Sequence, residues 1–155
     1  MHPQASKVQN ALIAAGCHSS VRELPDSTRT AVEAAQACGC EVGQIVKSLI
    51  FVLDPPGTPV LVLASGTNRV AEAALGARLE GKLRKASAEL VQQATGFVIG
   101  GVPPLGHAAP LPTYLDEDLL RYPVVWAAAG TPHAVFPIDP GELARITGAV
   151  IVSIL

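Results

Sequence analysis

Aromatic side chains are scarce in this sequence: three Phe, two Tyr and one Trp amount to 4% of its 155 residues. Because 49% of the residues are hydrophobic, the core has to be built mainly from Ala, Val, Leu and Ile. No apolar stretch reaches the roughly 18 residues that a membrane-spanning helix requires, which argues against a membrane protein. The amino-terminal MHPQASKVQNALIAAG also lacks a charged start followed by a long apolar run, so we expect a cytoplasmic protein without a signal peptide.

Cysteine is also rare, with only Cys17, Cys38 and Cys40 present. An odd number of cysteines in a chain of cytoplasmic character argues against a disulfide framework. Cys38 and Cys40 form a C-x-C pair, and no His or Cys pair occurs at the spacing of a zinc site. The sequence therefore predicts neither a metal site nor an organic cofactor.

An excess of positive charge is missing as well. The 11 Lys and Arg residues are opposed by 13 Asp and Glu residues, which gives a net charge of −2. Proteins that bind long stretches of nucleic acid backbone are usually basic. The composition therefore argues against a DNA-duplex binder, whereas binding to the end of an RNA, where few phosphates are contacted, stays open.

Hydrophobic periodicity predicts one α/β (α+β) domain over residues 1–155, with a mixed, largely antiparallel sheet flanked by helices. Segments with helical spacing are 6–16, 26–39, 69–77, 87–96 and 139–148. Segments with strand character are 20–25, 44–54, 58–66, 82–86, 97–101, 123–130, 133–138 and 149–155. Ser27 or Thr28 is expected to cap the second helix, and Ser87 and Asp139 the last two.

Lys47 is unusual because it lies in QIVKSLIF, a strand whose other residues favour burial. Alternation places Ile45, Lys47 and Leu49 on one face and Val46, Ser48 and Ile50 on the other. A lysine on a central strand is costly unless its ammonium reaches water, a cleft or a partner. Two interpretations stay open: a functional lysine in a cleft, or an edge lysine that extends to solvent.

The segment GFVIGGVPPLGH, residues 96–107, joins flexible glycines to stiff prolines. Gly100 and Gly101 permit positive φ and a close approach of the backbone to a ligand. Pro103 and Pro104 stiffen the segment and remove two N–H donors, which leaves the amides of Gly100, Gly101, Val102 and Leu105 as donors. Such a loop suits a carbonyl or a developing oxyanion, but a plain turn after a strand is an equal alternative.

These segments together resemble the YbaK/prolyl-tRNA-synthetase-associated domain family, the free-standing relatives of the editing insertion domain of bacterial prolyl-tRNA synthetase. The resemblance spans nearly the whole chain. It is carried by QIVKSLIFV, PVLVLASGTNRV, ATGFVIGGVPPLGH, VVWAAAGTPHAVF and LARITGAVIVSIL. It implies hydrolysis of the ester that joins a wrong amino acid to tRNA, usually the proline tRNA, with prolyl-tRNA synthetase as a candidate partner.

The resemblance also implies roles for individual residues. Lys47 is expected near the terminal adenosine and its phosphate, the loop from Gly100 to Pro104 is expected to hold the aminoacyl carbonyl, and His133 is expected to line the amino-acid pocket. The expected catalytic residues are therefore Lys47, Gly100 and Gly101. The expected substrate-binding residues are Val102, Pro103, Pro104, His133, Thr30 and Ser65.

One departure from the family pattern concerns the amino acid that is removed. The cysteine-specific relatives carry GGCSPLG, whereas this chain has GGVPPLG, so Val102 and Pro103 replace a Cys-Ser pair. Alanine, serine, threonine and 2-aminobutyrate therefore all stay candidates. Two other functions stay open: a non-catalytic module that binds a tRNA acceptor end, and a small-molecule binding or regulatory protein.

Overall fold

The computed structural model describes all 155 residues and contains five α-helices and eight β-strands. The helices are α1 (Pro3–Ala14), α2 (Ala31–Cys38), α3 (Glu72–Arg78), α4 (Ala88–Thr95) and α5 (Pro140–Thr147). The strands are β1 (Arg22–Glu23), β2 (Ile45–Asp54), β3 (Thr58–Ser65), β4 (Lys82–Lys85), β5 (Thr113–Asp116), β6 (Val125–Ala128), β7 (Ala134–Ile138) and β8 (Val150–Val152). Two short 3-10 turns, Val42–Gln44 and Glu117–Arg121, precede β2 and follow β5.

Polar caps fix the helix ends, largely as the sequence predicts. The Ser87 and Asp139 side chains accept hydrogen bonds from the first turns of α4 and α5, so both predicted caps are confirmed. The predicted cap of α2 is wrong: Thr30 is the cap, and it forms a reciprocal capping box with Glu33. Thr28 is held elsewhere, because its N–H and its hydroxyl both donate to the Pro132 carbonyl.

The strands form one mixed sheet in the order β1-β7-β6-β2-β3-β5-β8, with β4 also pairing with β2. Four ladders are antiparallel, including the β2–β3 hairpin, and three are parallel. The predicted mixed α/β fold is therefore confirmed. β2 is the central strand, because it pairs with β3 along one edge and with both β6 and β4 along the other.

One predicted strand is wrong and one strand was not predicted. Residues 97–101 form a turn rather than a strand: the Gly101 N–H donates to the Val98 carbonyl, Gly100 has a φ of 98°, and Val98 and Ile99 are exposed. The strand that was not predicted is β5, which lies between β3 and β8 in the sheet. Its apolar alternation is short and follows Pro110 and Pro112, so it gives little local signal.

Helices cover both faces of the sheet. The largest core cluster joins α1, α4 and α5 to one face through residues such as Leu12, Val91 and Leu143. On the other face, Leu75 of α3 packs in a second cluster and two alanines of α2 pack in a third. None of these helices has the length and apolar character needed to cross a bilayer.

Candidate active site

The central strand β2 has a gap in its pairing, and a cavity lies around this gap. On one edge the ladder with β6 ends at Val46, and the ladder with β4 begins at Phe51. Residues 47–50 therefore pair with no strand on that edge. The one backbone hydrogen bond there runs from the Ala86 N–H to the Ile50 carbonyl. All four of these residues line a cavity of about 620 Å³, a volume typical of small-molecule sites.

The two faces of β2 give the cavity two chemically different sides. Its charged and amphipathic wall residues include Arg29, Lys47, Arg69, Glu72 and Lys85. The side that shares the face of Ser48 is apolar, with Val46, Ile50, Ala86, Val91, Val102 and Ala127. A ligand with a small apolar group and an anionic part would find both environments here.

Lys47 is half-buried, and the backbone carbonyl of Asn68 holds its ammonium group by a hydrogen bond. Burial lowers the pKa of Lys47, the nearby Asp116 carboxylate raises it in part, and Arg69 lowers it further. The interpretation of Lys47 as a solvent-reaching edge lysine is therefore not what the structure shows. Its side chain lies on the cavity wall with a fixed protein partner.

Asp116, at the end of β5, anchors the segment that holds Lys47. It is 1% exposed, and its Oδ2 accepts hydrogen bonds of 2.9 Å from the Ser65 N–H and from Asn68 Nδ2. Asp118 Oδ2 accepts a second bond, of 2.7 Å, from the same Asn68 amide. Because Asn68 is fixed by its side chain, its carbonyl can hold the Lys47 ammonium in place.

The glycine–proline loop is tied to its surroundings at several points. The Gly101 carbonyl accepts a 2.9 Å bond from the Gly130 N–H, and His107 Nε2 lies 2.7 Å from the Pro103 carbonyl. Burial lowers the pKa of His107, which favours the neutral ring, and the bond to Pro103 opposes this shift. The loop is therefore rigid, as the glycine–proline pattern predicts.

Gly101, which the sequence predicts to be catalytic, lies outside the cavity wall. Its N–H already donates to Val98, and the residue is buried and absent from the cavity wall. An added Cβ would lie 2.9 Å from both N and Cα of Thr131, so glycine is required here for packing. Gly100 and Val102 do line the cavity, and no protein acceptor takes up the N–H of either residue.

Several other predicted residues also lie off the cavity wall. Pro103 and Pro104 are buried behind it. The Ser65 hydroxyl donates to the Gly43 carbonyl at 2.7 Å, which is a structural contact. His133 is exposed, and its Nδ1 lies 3.1 Å from the Asp26 carbonyl, so it fixes the segment before α2 instead of facing the cavity.

Thr30 does line the cavity, but its hydroxyl is already bonded within the α2 capping box. Ser48 shows the opposite situation: its Oγ is buried and has no hydrogen-bond partner in the protein.

Three residues of the site, Arg29, Asn68 and Asp116, were not predicted from the sequence. Asp116 ends the short apolar run TYL, and recognising β5 as a strand would have been the signal for it. No group of three or more potential metal-ligating side chains comes together.

Comparison with known proteins finds both a matching family model and a closely similar solved structure. Residues 25–146 match the family model of the aminoacyl-tRNA editing domain. A crystal structure described as a proposed trans-editing enzyme for prolyl-tRNA synthetase is 55% identical, with a TM-score of 0.93 over 99% of this chain and 97% of that one.

Two curated relatives are more distant. YwhH of Bacillus subtilis is 30% identical over 83% of this chain and 82% of its own length. EbsC of Enterococcus faecalis, described as a proposed Cys-tRNA(Pro)/Cys-tRNA(Cys) deacylase, is 27% identical over 76% of this chain and 77% of its own. A family model that covers most of the chain and a near-complete structural match lead to one conclusion: this protein belongs to the aminoacyl-tRNA editing domain family.

Proposed function

We propose that this protein is a trans-editing hydrolase that removes a small, wrongly attached amino acid from tRNA, with the proline tRNA as substrate. The observation that carries the proposal is one cavity whose wall includes Lys47 together with Gly100 and Val102, two loop residues whose N–H groups have no acceptor in the protein. The family match supplies the substrate class, and the 55% identical trans-editing structure supports the link to proline.

The reaction is the hydrolysis of an ester. Water adds to the carbonyl carbon, the carbonyl π electrons move to oxygen, and the tetrahedral adduct then expels the ribose oxygen. The expelled oxygen takes up the proton that the water gives up, which leaves a free amino acid and an uncharged tRNA. Fixed N–H groups aimed at the developing oxyanion lower the barrier, because they need no reorganisation during the reaction.

Lys47 provides a half-buried cation on the cavity wall. The ammonium group faces a cavity that also contains Arg69 and Lys85, so this side attracts the phosphate of the terminal nucleotide. A positioned lysine also stabilises negative charge on the ester in the transition state. Its anchor on Asn68 reduces the conformational entropy that the lysine would otherwise lose upon substrate binding.

The need for a separate editing site follows from binding energies. A missing methylene in an apolar pocket is discriminated by only about 1–3 kcal/mol, so a proline-sized pocket admits smaller amino acids. In the present cavity, Val46, Val91 and Val102 surround a small apolar space on the Ser48 side. Such a space favours alanine or 2-aminobutyrate over larger or charged side chains.

The test is to follow ester loss from a panel of proline tRNAs charged with proline, alanine, serine, threonine, cysteine and 2-aminobutyrate. We expect rapid loss of one small amino acid and a decrease on the order of 10²- to 10³-fold in Lys47→Ala, comparable to removal of an oxyanion donor. Lys82→Ala is the matched control, because it removes the same charge from an exposed residue outside the cavity wall.

The outcomes separate the candidate functions. Binding of acceptor ends without turnover would favour the non-catalytic module. Absence of turnover and of binding across the panel would contradict the proposal. Equal losses in Lys47→Ala and Lys82→Ala would remove Lys47 from the mechanism.

A further inference from the structure

The gap in the pairing of β2 exposes backbone hydrogen-bonding groups as well as side chains. In the β2–β3 hairpin the Ile45 carbonyl accepts from the Gly66 N–H, so odd-numbered residues of β2 bond toward β3. On the other edge the Ile50 carbonyl accepts from Ala86, so even-numbered residues bond toward β6 and β4. Ser48 lies between the ladders, and both its N–H and its C=O therefore point into the gap.

These two groups have no partner in the protein. The ladder with β6 has already ended at Val46, and no hydrogen bond to a turn or a side chain involves the Ser48 backbone. Unpaired backbone groups inside a folded domain are rare, because burial without a hydrogen bond is costly. Since Ser48 lines the cavity, a bound ligand is in a position to satisfy both groups.

We propose that the aminoacyl group of the substrate binds in the gap as a one-residue β-strand, with its α-ammonium donating to the Ser48 carbonyl and its ester carbonyl accepting from the Ser48 N–H. This inference rests on the proposed function and specifies how that site recognises its substrate. In an antiparallel sheet, two opposite residues exchange just such a pair of N–H and C=O bonds. An α-aminoacyl ester has one donor and one acceptor on the same residue, so it matches this pattern.

The pairing also determines where the amino acid's side chain goes. Residues paired across two strands direct their side chains to the same face of the sheet. A substrate paired with Ser48 therefore directs its side chain into the apolar side of the cavity, among Val46, Val91 and Val102. The ester carbonyl receives the Ser48 N–H in addition to a loop amide, so two elements donate to the oxyanion as it forms.

A pair of variants isolates the Ser48 N–H. Ser48→Ala removes the hydroxyl and keeps the N–H, whereas Ser48→Pro removes both. Proline is tolerated in a strand where the N–H makes no ladder bond, which is the case at this position. We expect kcat in Ser48→Pro to be about 10²- to 10³-fold below that in Ser48→Ala, with similar circular dichroism spectra. Equal kcat values in two folded variants would overturn the N–H contact.

Substrates modified at the α-position test the carbonyl contact and do not depend on a variant that folds. Deamination of alanyl-tRNA with nitrous acid gives lactyl-tRNA, in which a hydroxyl replaces the ammonium. Each enzymatic rate is divided by the rate of spontaneous hydrolysis, because the ammonium also activates the ester chemically. We expect the corrected kcat/KM of the lactyl ester to be lower than that of the alanyl ester by about 10-fold or more, because a charge-assisted hydrogen bond is stronger than one from a neutral hydroxyl.

A control variant and the wild-type enzyme separate the remaining explanations. Glu72 also lines the cavity and is the alternative partner for the ammonium. If Glu72→Gln abolished the preference for the aminoacyl ester, the carboxylate would hold the ammonium and the proposal would be wrong. Equal corrected rates for both esters would overturn it too, while the deacylase function would stand. If no aminoacyl ester in the panel were cleaved, the proposed function itself would fail.

Discussion

Replacement of Asp116 by Asn tests whether a buried carboxylate positions Lys47. The Asp116 carboxylate accepts three N–H bonds of 2.9 Å, two on Oδ2 from Ser65 and Asn68 and one on Oδ1 from Asp118. An asparagine has only one side-chain oxygen, so its NH2 group must face at least one of these donors. In the better orientation the oxygen keeps Ser65 and Asn68 and loses the bond from Asp118.

The magnitude follows from this count. One buried donor left without an acceptor costs about 1–3 kcal/mol. A loss of 1 kcal/mol lowers the melting temperature of a domain of this size by roughly 2–4 °C. We therefore expect Asp116→Asn to lower the melting temperature by about 2–12 °C. Denaturant titration monitored by the fluorescence of Trp126, the single tryptophan, measures the same change in the free energy of unfolding.

A functional effect is expected separately, since Asn68 holds the Lys47 ammonium. We expect the deacylation rate of folded Asp116→Asn to decrease by about 10-fold, the equivalent of about 1.4 kcal/mol in the barrier. The Asp116 charge also raises the pKa of Lys47, so its removal should move the alkaline loss of Lys47-dependent substrate binding to lower pH. A purely structural role would not produce that shift.

The matched control is Asp118→Asn. Asp118 accepts from the same Asn68 amide, but it is less buried than Asp116 and pairs with the exposed Arg121. Surface ion pairs contribute about 0–1 kcal/mol, so we expect a smaller loss of stability than in Asp116→Asn. If both variants lost the same stability, or if Asp116→Asn kept the wild-type rate and pH profile, the positioning role of Asp116 would be refuted.

Two further predictions concern the loop and the lysine. Gly101→Ala places a Cβ 2.9 Å from the Thr131 backbone, so we expect a loss of about 1–3 kcal/mol in denaturant unfolding; wild-type stability would contradict the packing role. Because burial lowers the pKa of Lys47, this lysine loses its charge at a lower pH than an ordinary lysine does. We therefore expect the affinity for a non-hydrolysable, amide-linked aminoacyl acceptor stem to weaken as the pH rises, before the pH at which an ordinary lysine titrates is reached. Between the lowered pKa of Lys47 in the folded protein and the ordinary lysine pKa of the unfolded chain, the unfolded chain binds more protons than the folded one. The titration of Lys47 therefore makes the folded protein more stable as the pH rises, and unfolding cannot explain the loss of affinity. A pH-independent affinity, or the same pH profile in Lys47→Met, would contradict this second prediction.

Local signals in the sequence determined much of the fold. The capping residues Ser87 and Asp139 and the hairpin of β2 with β3 follow from neighbouring residues, and all three are confirmed. The strand at 97–101 was wrong because an apolar run of that length looks the same in a strand and in a turn. Nothing local distinguishes the exposed Val98 and Ile99 from strand residues, and the Gly101–Val98 hydrogen bond is visible only in three dimensions.

By itself the sequence determined the strand that carries Lys47, the face on which this lysine lies, and the stiff loop from Gly100 to Pro104, since alternation and the chemistry of glycine and proline act over a few residues. Only the tertiary structure decided that β6 and β4, which pair with the same edge of β2, stop short of each other, so that Ser48 faces a cavity. It also decided that Gly101 is a packing residue and that Asp116 reaches Lys47 through Asn68. These properties depend on contacts between residues that are far apart in the sequence, from 21 positions for Lys47 and Asn68 to 81 positions for Val46 and Ala127, and such contacts exist only after the sheet has assembled.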